Sequence, residues 1–307
     1  MLVILSGGTG TPKLLQGLKE VVEPGEMAII ANTAEDEWLP HGYFSPDIDT
    51  ILYTMSDQIN EKTWYGIKGD TFVTHERLLK LGVREFLNIG DRDRATHIQR
   101  GELMKAGKTL SQAVEIQRKA LGVKARVYPM SDDPVRTVIV TDSGRISLHE
   151  YLIEHGGKPR VREILFEGMD DAKASQGALD ALEEAEGIII GPSNPLSSIF
   201  PIISLEGIKK RIQKKKEKCV AVSPIVGGKP VSGPADRFME SKGLEVNSIS
   251  VAKIYEGLIS SLIIDSSDEN SDAIEDLGIK CYSTNTIMKS LKDKKALAEF
   301  MLKIIYK

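Results

Sequence analysis

Apolar and polar positions alternate in blocks along this chain. Leu2-Val3-Ile4-Leu5 is an unbroken apolar run, closed by the small-residue stretch Ser6-Gly7-Gly8-Thr9-Gly10-Thr11. Residues 12–18 turn helical, and residues 27–31 form a second apolar run that ends at Asn32. Continuous runs of this length, rather than strict alternation, mark strands buried on both faces. Residues 35–44 have no helical period and contain Pro40 and Gly42, so they read as a loop. Ser45-Pro46 is an N-cap and first-position pair, and residues 47–59 read as the helix that follows. Residues 71–81, 95–106 and 109–121 carry apolar side chains at three- and four-residue spacing. They predict a long helical insertion between strands.

Strand character returns at 125–130, 135–141 and 145–148, the last two flanking the hairpin signal Asp142-Ser143-Gly144. Further strands are predicted at 161–166, 187–190, 218–222, 262–265 and 280–282. Helices are predicted at 175–184, 206–216, 235–242, 251–258 and 288–304. Strands that alternate with helices imply an α/β fold, a mostly parallel sheet with helices on both faces.

Composition narrows the class. The chain has 307 residues, 41% hydrophobic and 27% charged, which suits a soluble globular protein of one large domain or two modest ones. A net charge of −4 does not favour non-specific nucleic-acid binding. Cys219 and Cys281 stand far apart in apolar runs, without metal spacing, and read as buried free thiols. The N-terminus lacks a basic leader and no apolar run reaches bilayer length, so the chain reads as cytoplasmic with no membrane partner.

The candidate chemistry begins in the first loop. A short strand, a Gly turn and a helix start make a phosphate cradle from Gly7, Gly8, Thr9, Gly10, Thr11 and Lys13. Glycines let backbone amides approach an anion, and the helix N-terminus adds its free N–H groups and positive dipole end. Thr11 fits the N-cap and Pro12 the first helical position. Gly8 and Gly10 match the first two glycines of a dinucleotide fingerprint, but Lys13 takes the third place. Asn32 stands where a ribose-binding carboxylate belongs, so a nicotinamide dehydrogenase fits poorly. No Gly-Lys-Ser/Thr follows, which excludes a P-loop.

Asp36, Asp47 and Asp49, with Asn32 and Thr33 nearby, are oxygen ligands of the kind that suit Mg²⁺ together with substrate phosphates. Asp47 alternatively serves the helix start. Residues two apart on a helix point about 200° apart, so Asp47 and Asp49 do not share one task, and Asp49 is free to turn into a cleft. In Asn88-Ile89-Gly90-Asp91-Arg92-Asp93, either aspartate caps the next helix or Arg92 contacts phosphate. The loops 191–198 and 223–236 follow buried strands, so both lie at the carboxyl edge where open α/β sheets bind ligands. Ser193, Asn194, Ser223, Ile225, Gly227 and Gly228 are their candidate nucleotide contacts, with Asn32 from the second strand. Lys209-Lys210-Arg211 and Lys214-Lys215-Lys216 read as a solvated helix face.

Gly7-Gly8-Thr9-Gly10-Thr11-Pro12, Asn32-Thr33-Ala34-Glu35-Asp36, Ser45-Pro46-Asp47-Ile48-Asp49-Thr50, Gly90-Asp91-Arg92-Asp93, Gly191-Pro192-Ser193-Asn194-Pro195 and Ser223-Pro224-Ile225-Val226-Gly227-Gly228 occur here in one order. Jointly they resemble the 2-phospho-L-lactate transferase family of deazaflavin coenzyme biosynthesis in archaea, over nearly the whole chain. The resemblance implies a single Rossmann-like domain over 1–307 with a helical insertion at 60–124, Mg²⁺ dependence and a homodimer. The implied reaction moves a 2-phospholactyl group, or in some organisms a phosphoenolpyruvyl group, from a guanosine diphosphate-linked donor. The acceptor is the ribityl hydroxyl of 7,8-didemethyl-8-hydroxy-5-deazariboflavin, and GMP is released. The resemblance makes Asp49 the catalytic candidate and an acceptor contact, with Asn88, Asp91 and Arg92 beside it. Asn88 stands where a longer basic residue is expected. Asp36 and Asp47 are the metal candidates. A sister family of nucleotide-sugar-binding regulatory proteins shares the Gly loop and fold, but carries a Gly/Ser-rich run where this chain has Asn32 to Asp36.

Overall fold

A computed structural model describes residues 1–83, 85 and 87–307. Its centre is a seven-stranded sheet of β1 (Leu2–Ser6), β2 (Met27–Ala31), β5 (Arg126–Pro129), β9 (Gly187–Ile190), β10 (Cys219–Val222), β13 (Ser261–Asp265) and β14 (Lys280–Thr284). The spatial order is β14-β13-β10-β9-β1-β2-β5, and every neighbouring pair is parallel. The chain grows outward from β1 through β2 to β5, then returns beside β1 as β9 and grows the other way. The order therefore reverses between β1 and β9, where a crevice opens at the carboxyl ends of the strands.

Alternating side chains of β1 feed two cores. Val3 and Leu5 face one, with Ile188 and Ile190 of β9; Leu2 and Ile4 face the other, with Ile29 of β2. Helices α1 (Gly10–Leu18), α2 (Pro46–Met55), α5 (Leu110–Ala120) and α12 (Leu291–Ile305) cover the Leu2 side with side chains such as Leu14, Ile51, Val114 and Leu297. The Val3 side is covered by α6 (Gln176–Glu184), α7 (Phe200–Ser204), α8 (Glu206–Lys214), α9 (Ala235–Ser241), α10 (Ser248–Ile254) and α11 (Ser271–Glu275). Truncating one fully buried residue such as Ile4 to alanine costs about 2–5 kcal/mol. A second, antiparallel sheet of β6 (Arg136–Thr141), β7 (Gly144–Ser147) and β8 (Val161–Glu167) lies in the order β7-β6-β8. It is tied to the main sheet edge where the Thr137 N–H donates to the Ala34 carbonyl at 2.7 Å.

Between α2 and β5 run α3 (Val73–Lys80), α4 (Asp91–Lys105) and α5, close to the positions the periodicity predicts. Besides shifts at helix ends, such as α2 stopping at Met55 and α12 starting at Leu291, several details differ from the sequence reading. Residues 35–44 are not all loop: β3 (Glu37–Leu39) and β4 (Gly42–Phe44) pair as a short hairpin. Helix α1 starts at Gly10 with Thr9 as N-cap, not Thr11, whose hydroxyl is engaged across the sheet by Ser193. Helix α10 starts at Ser248, three residues early, because the Asn247 side chain accepts the Ser250 N–H as a cap. Cys219 is buried, but Cys281 is partly exposed; both are free thiols. The remaining pair, β11 (Ile225–Val226) and β12 (Lys229–Pro230), forms a two-residue hairpin after β10. No helix among the described residues is long and apolar enough to cross a membrane.

Candidate active site

The β1 and β9 loops meet over the crevice. The Ser193 hydroxyl donates to the Gly7 carbonyl, accepts the Thr11 N–H at 3.2 Å and lies 2.6 Å from the Thr11 hydroxyl. Asn194 caps the single π-helical turn Pro195–Ile199, its side chain accepting from the Leu196 and Ser197 amides at 3.0 and 3.2 Å. Gly10 packs directly on the Pro192 carbonyl, and Gly8 holds a left-handed φ of 55°. Thus Gly10 serves loop-to-loop contact and Gly8 serves the turn.

A cleft of about 480 Å³ opens above these loops. Gly8, Thr9, Gly10, Ser193 and Asn194 form one end, together with Ser197 and Ser198 of the π turn. The other end is apolar, with Phe44, Leu87, Leu148, Leu152 and Ile153. Leu152 and Ile153 belong to a second π-helical turn, Glu150–Glu154. Such turns are rare and cluster at functional sites. A polar, amide-rich end and an apolar end suit a phosphorylated ligand meeting a flat ring system.

Carboxylates also line the cleft. Asp47, in the first turn of α2, accepts the Gly8 N–H at 2.6 Å and the Asn32 amide at 2.9 Å. Burial pushes its carboxyl up to about 6 against those two hydrogen bonds. Glu35 also lines the cleft. Its carboxyl is raised well above the usual range by burial, then by Asp47 and Asp36. Asp36 does not reach the lining, because both its oxygens accept the Ser45 hydroxyl at 2.8 Å. Ser45 thereby bonds Asp36 instead of capping α2 with its side chain.

Asp49 lines the cleft from the opposite face of α2, as the helix geometry requires. It is not loose there. Arg100 of α4, fully buried, grips both its oxygens, Nη1 to Oδ2 at 3.1 Å and Nη2 to Oδ1. His97 Nε2 lies 3.2 Å from Asp49 Oδ2 and 3.2 Å from Asp93 Oδ1, and Tyr53 donates to Asp93 at 2.8 Å. Burial disfavours the Asp49 charge, but Arg100 and then His97 outweigh it and hold the carboxyl down at about 2. Burial likewise works against a charged His97, yet Asp49 and Asp93 hold its imidazole up at about 9.

Of the predicted acceptor contacts, Asp49 and Asn88 line the cleft. Asp91 does not: its carboxylate caps α3, accepting from Thr71 Oγ1 and the Val73 and Thr74 amides at 2.6, 3.0 and 2.9 Å. Arg92 is exposed, with its amide donated to Asp70. Lys13 sits beside the cleft, its ammonium 5.2 Å from the centre of the Trp64 ring, and Trp64 itself lines the cleft. The 223–236 loop contributes Pro224, Ser232, Gly233 and Pro234 to the lining. Ser223, Ile225, Gly227 and Gly228 instead shape that loop: Ser223 Oγ accepts the Ile225 N–H, and the two glycines turn the β11–β12 hairpin with positive φ. The sequence reading passed over Glu35 and Arg100 and read Asp93 only as a candidate helix cap. Their signal was present, since Asp93, His97 and Arg100 recur at spacings of four and three on one face of a helix.

Two groups offer ligands to a divalent cation. Asp49, Asp93 and His97 place ligand atoms within 4.8 Å of one another. Their charge is already met, however, by the Arg100 guanidinium and by an imidazole that favours its protonated form. Glu35 and Asp47 are the alternative: both are hard oxygen donors lining the cleft, and burial raises both carboxyls, with Asp47 and Asp36 adding to the effect on Glu35.

Comparison with known proteins decides among chemistries that share this architecture. The profile of the family described as 2-phospho-L-lactate transferase CofD matches residues 2–301. The chain belongs to the CofD family. Proteins named 2-phospho-L-lactate transferase are similar to it across nearly their whole length. That of Methanothermobacter thermautotrophicus is 48% identical over 303 residues, covering 98% of this chain and 97% of the relative. That of Methanosarcina mazei is 45% identical over 302 residues, covering 98% and 99%. That of Methanocaldococcus jannaschii is 46% identical over 303 residues, covering 97% and 96%. A crystal structure of a Bacillus halodurans protein superposes with a TM-score of 0.64 at 16% identity, covering 98% of each chain, a likeness of fold alone.

Proposed function

We propose that this transferase moves a 2-phospholactyl group from a guanosine diphosphate-linked donor to the ribityl hydroxyl of a deazaflavin and releases GMP. One observation carries the reading: within a CofD family chain, one cleft is lined together by the amide-rich Gly loop, by apolar side chains such as Phe44 and Leu152, and by Asp47 and Asp49. The donor diphosphate lies along Thr9, Gly10 and the α1 N-terminus, where amides and the helix dipole favour anions. Its guanine reaches the Ser193, Asn194 and Ser232–Pro234 side. The deazaflavin ring occupies the Phe44, Leu148 and Leu152 end.

The acceptor oxygen attacks the distal phosphorus: a P–O bond forms, the bond to the GMP oxygen breaks, and the hydroxyl proton passes to the departing GMP phosphate. Such transfer depends on alignment and charge stabilisation more than on covalent assistance from the protein. Asp49, held as an anion, accepts a hydrogen bond from the attacking hydroxyl and aims its lone pair. The Gly-loop amides and Lys13 stabilise charge that collects on the leaving GMP. Mg²⁺, held by Asp47 and Glu35, would neutralise the diphosphate when bound. A homodimer accords with the family resemblance.

The test combines purified protein, donor, deazaflavin and Mg²⁺ and reads GMP release together with the deazaflavin phosphodiester by mass spectrometry. Absence of both would refute the proposal. Calorimetry with GDP, ADP and UDP separates it from a nucleotide-sugar-binding regulatory protein of the same fold, for which UDP would bind tightest.

A further inference from the structure

We infer that Arg100 is a positioning residue for the transfer: it acts only through Asp49, fixing that carboxylate in one orientation toward the acceptor. The inference rests on the proposed role of Asp49. An ionised carboxylate offers about four lone-pair sites. Arg100 takes two, and the His97 ring stands 3.2 Å from Oδ2 without a hydrogen bond to it, so the remaining sites are those open to the cleft that Asp49 lines. The guanidinium is itself immobile. Its Nε donates to Gln117 Oε1 at 3.0 Å, and Nη1 also donates to the Tyr43 carbonyl at 3.2 Å. Gln117 is braced in turn, its amide donating to the Thr96 carbonyl at 2.9 Å.

One side chain thus ties α2, β4, α4 and α5 together at the point where Asp49 enters the cleft. Arg100 is fully buried, so water cannot substitute for the pairing. It does not line the cleft and touches no substrate. A planar fork matched to both carboxylate oxygens restricts rotation about the Asp49 side chain in a way a single point charge does not. The helical insertion therefore serves the chemistry at a distance, by setting one carboxylate.

The experiment is a double-mutant cycle on the full chain with Asp49→Asn, Arg100→Met and the double variant, with Arg100→Lys alongside. GMP release gives kcat and the acceptor KM, deazaflavin fluorescence gives acceptor binding, and calorimetry gives GDP affinity. Arg100→Met is expected to lower kcat/KM for the acceptor by ~10²-fold, as a misplacement of about 1 Å does. The double variant should fall no further than Asp49→Asn alone, within about twofold, while GDP affinity holds within the same margin. Multiplying losses in the double variant, or GDP affinity falling in step with turnover, would mean a merely structural role and overturn the inference. Should Arg100→Met not fold, the double variant, which buries no unpaired charge, and Arg100→Lys carry the test. The lysine keeps the charge without the fork, so a raised acceptor KM at unchanged GDP affinity supports the inference, and wild-type kinetics refutes it. If the wild-type chain neither binds deazaflavin nor releases GMP, the proposed function fails first and this inference with it.

Discussion

Gly10→Ala is the most direct probe of how the cleft is built. A Cβ at this position overlaps the Pro192 carbonyl oxygen and lies 2.8 Å from its carbonyl carbon and 3.4 Å from Ser193 Cα. Carbon atoms pack at about 3.5–4.0 Å, so the α1 N-terminus and the β9 loop must part by roughly 0.7 Å or more. Both partners are backbone, and neither can step aside by a rotamer change. Overpacking costs about 1–3 kcal/mol, and a backbone-to-backbone clash belongs at the upper end. At about 2–4 °C per kcal/mol, the melting temperature should fall by roughly 6–12 °C. Moving the loops apart also stretches the bonds of Ser193 to Thr11 and Gly7, and GDP affinity should drop at least ~10-fold as cradle hydrogen bonds lengthen beyond useful range. Gly25→Ala is the control, because nothing lies within 4 Å of its Cβ. It should be neutral, or stabilising by about 0.4–1 kcal/mol through the unfolded chain. Thermal unfolding with and without GDP measures both. A Gly10→Ala variant with wild-type melting temperature and GDP affinity would show that the loops do not need this approach.

Asp49→Asn should retain GDP binding and lose turnover by about 10²–10⁴-fold, as read by GMP release. It should also melt lower, because breaking a buried ion pair costs about 3–5 kcal/mol and Arg100 is left without its carboxylate. His97, held up at about 9 against an ordinary 6.5, makes stability depend on alkaline pH. Its contribution is complete below pH 6.5 and is lost as pH rises through 9, a loss on the order of 3 kcal/mol. Denaturant midpoints at pH 6.5 and 9.5 should diverge for the wild type and lie closer for His97→Asn. Chelation of divalent cations should abolish turnover while leaving the protein folded. Asp47→Asn and Glu35→Gln should each raise the Mg²⁺ concentration needed for half-maximal rate.

The centre of the sheet was legible because β1, β2, β9, β10 and β13 are buried on both faces. Runs such as Gly187–Ile190 leave no polar position to blur the assignment, and Gly-Pro-rich breaks mark their ends. The β1 and β9 loops were legible for the same reason, since their place at the carboxyl edge follows from the strands before them. The β3–β4 hairpin was not, because three-residue strands around Pro40 and Gly42 show no alternation. Helix α4 misled in a subtler way. Its period was visible, but the face it buries is Asp93, Arg94, His97, Arg100 and Gly101 rather than an apolar stripe. Hydrophobic periodicity does not register a buried face made of charges that neutralise one another. For that reason Asp49 was singled out while Arg100, which pairs with it, was not. Asp91 was credited to the site by its motif, whereas the side chain turns away to cap α3.

The bond between Thr11 and Ser193 spans 182 residues of chain. At ~5–20 residues per second, a ribosome needs about 10–40 s after making one partner to deliver the other. Throughout that interval β1 has β2 to pair with but lacks β9 along its other edge. The nascent protein therefore carries an open, largely apolar strand edge, the kind of surface that recruits chaperones or neighbouring chains. Contacts this distant in sequence also slow refolding of the finished chain. The cleft cannot close before β9 and the loop after it are made, and a truncated product ending before β9 would hold the glycine loop without the serine that closes it.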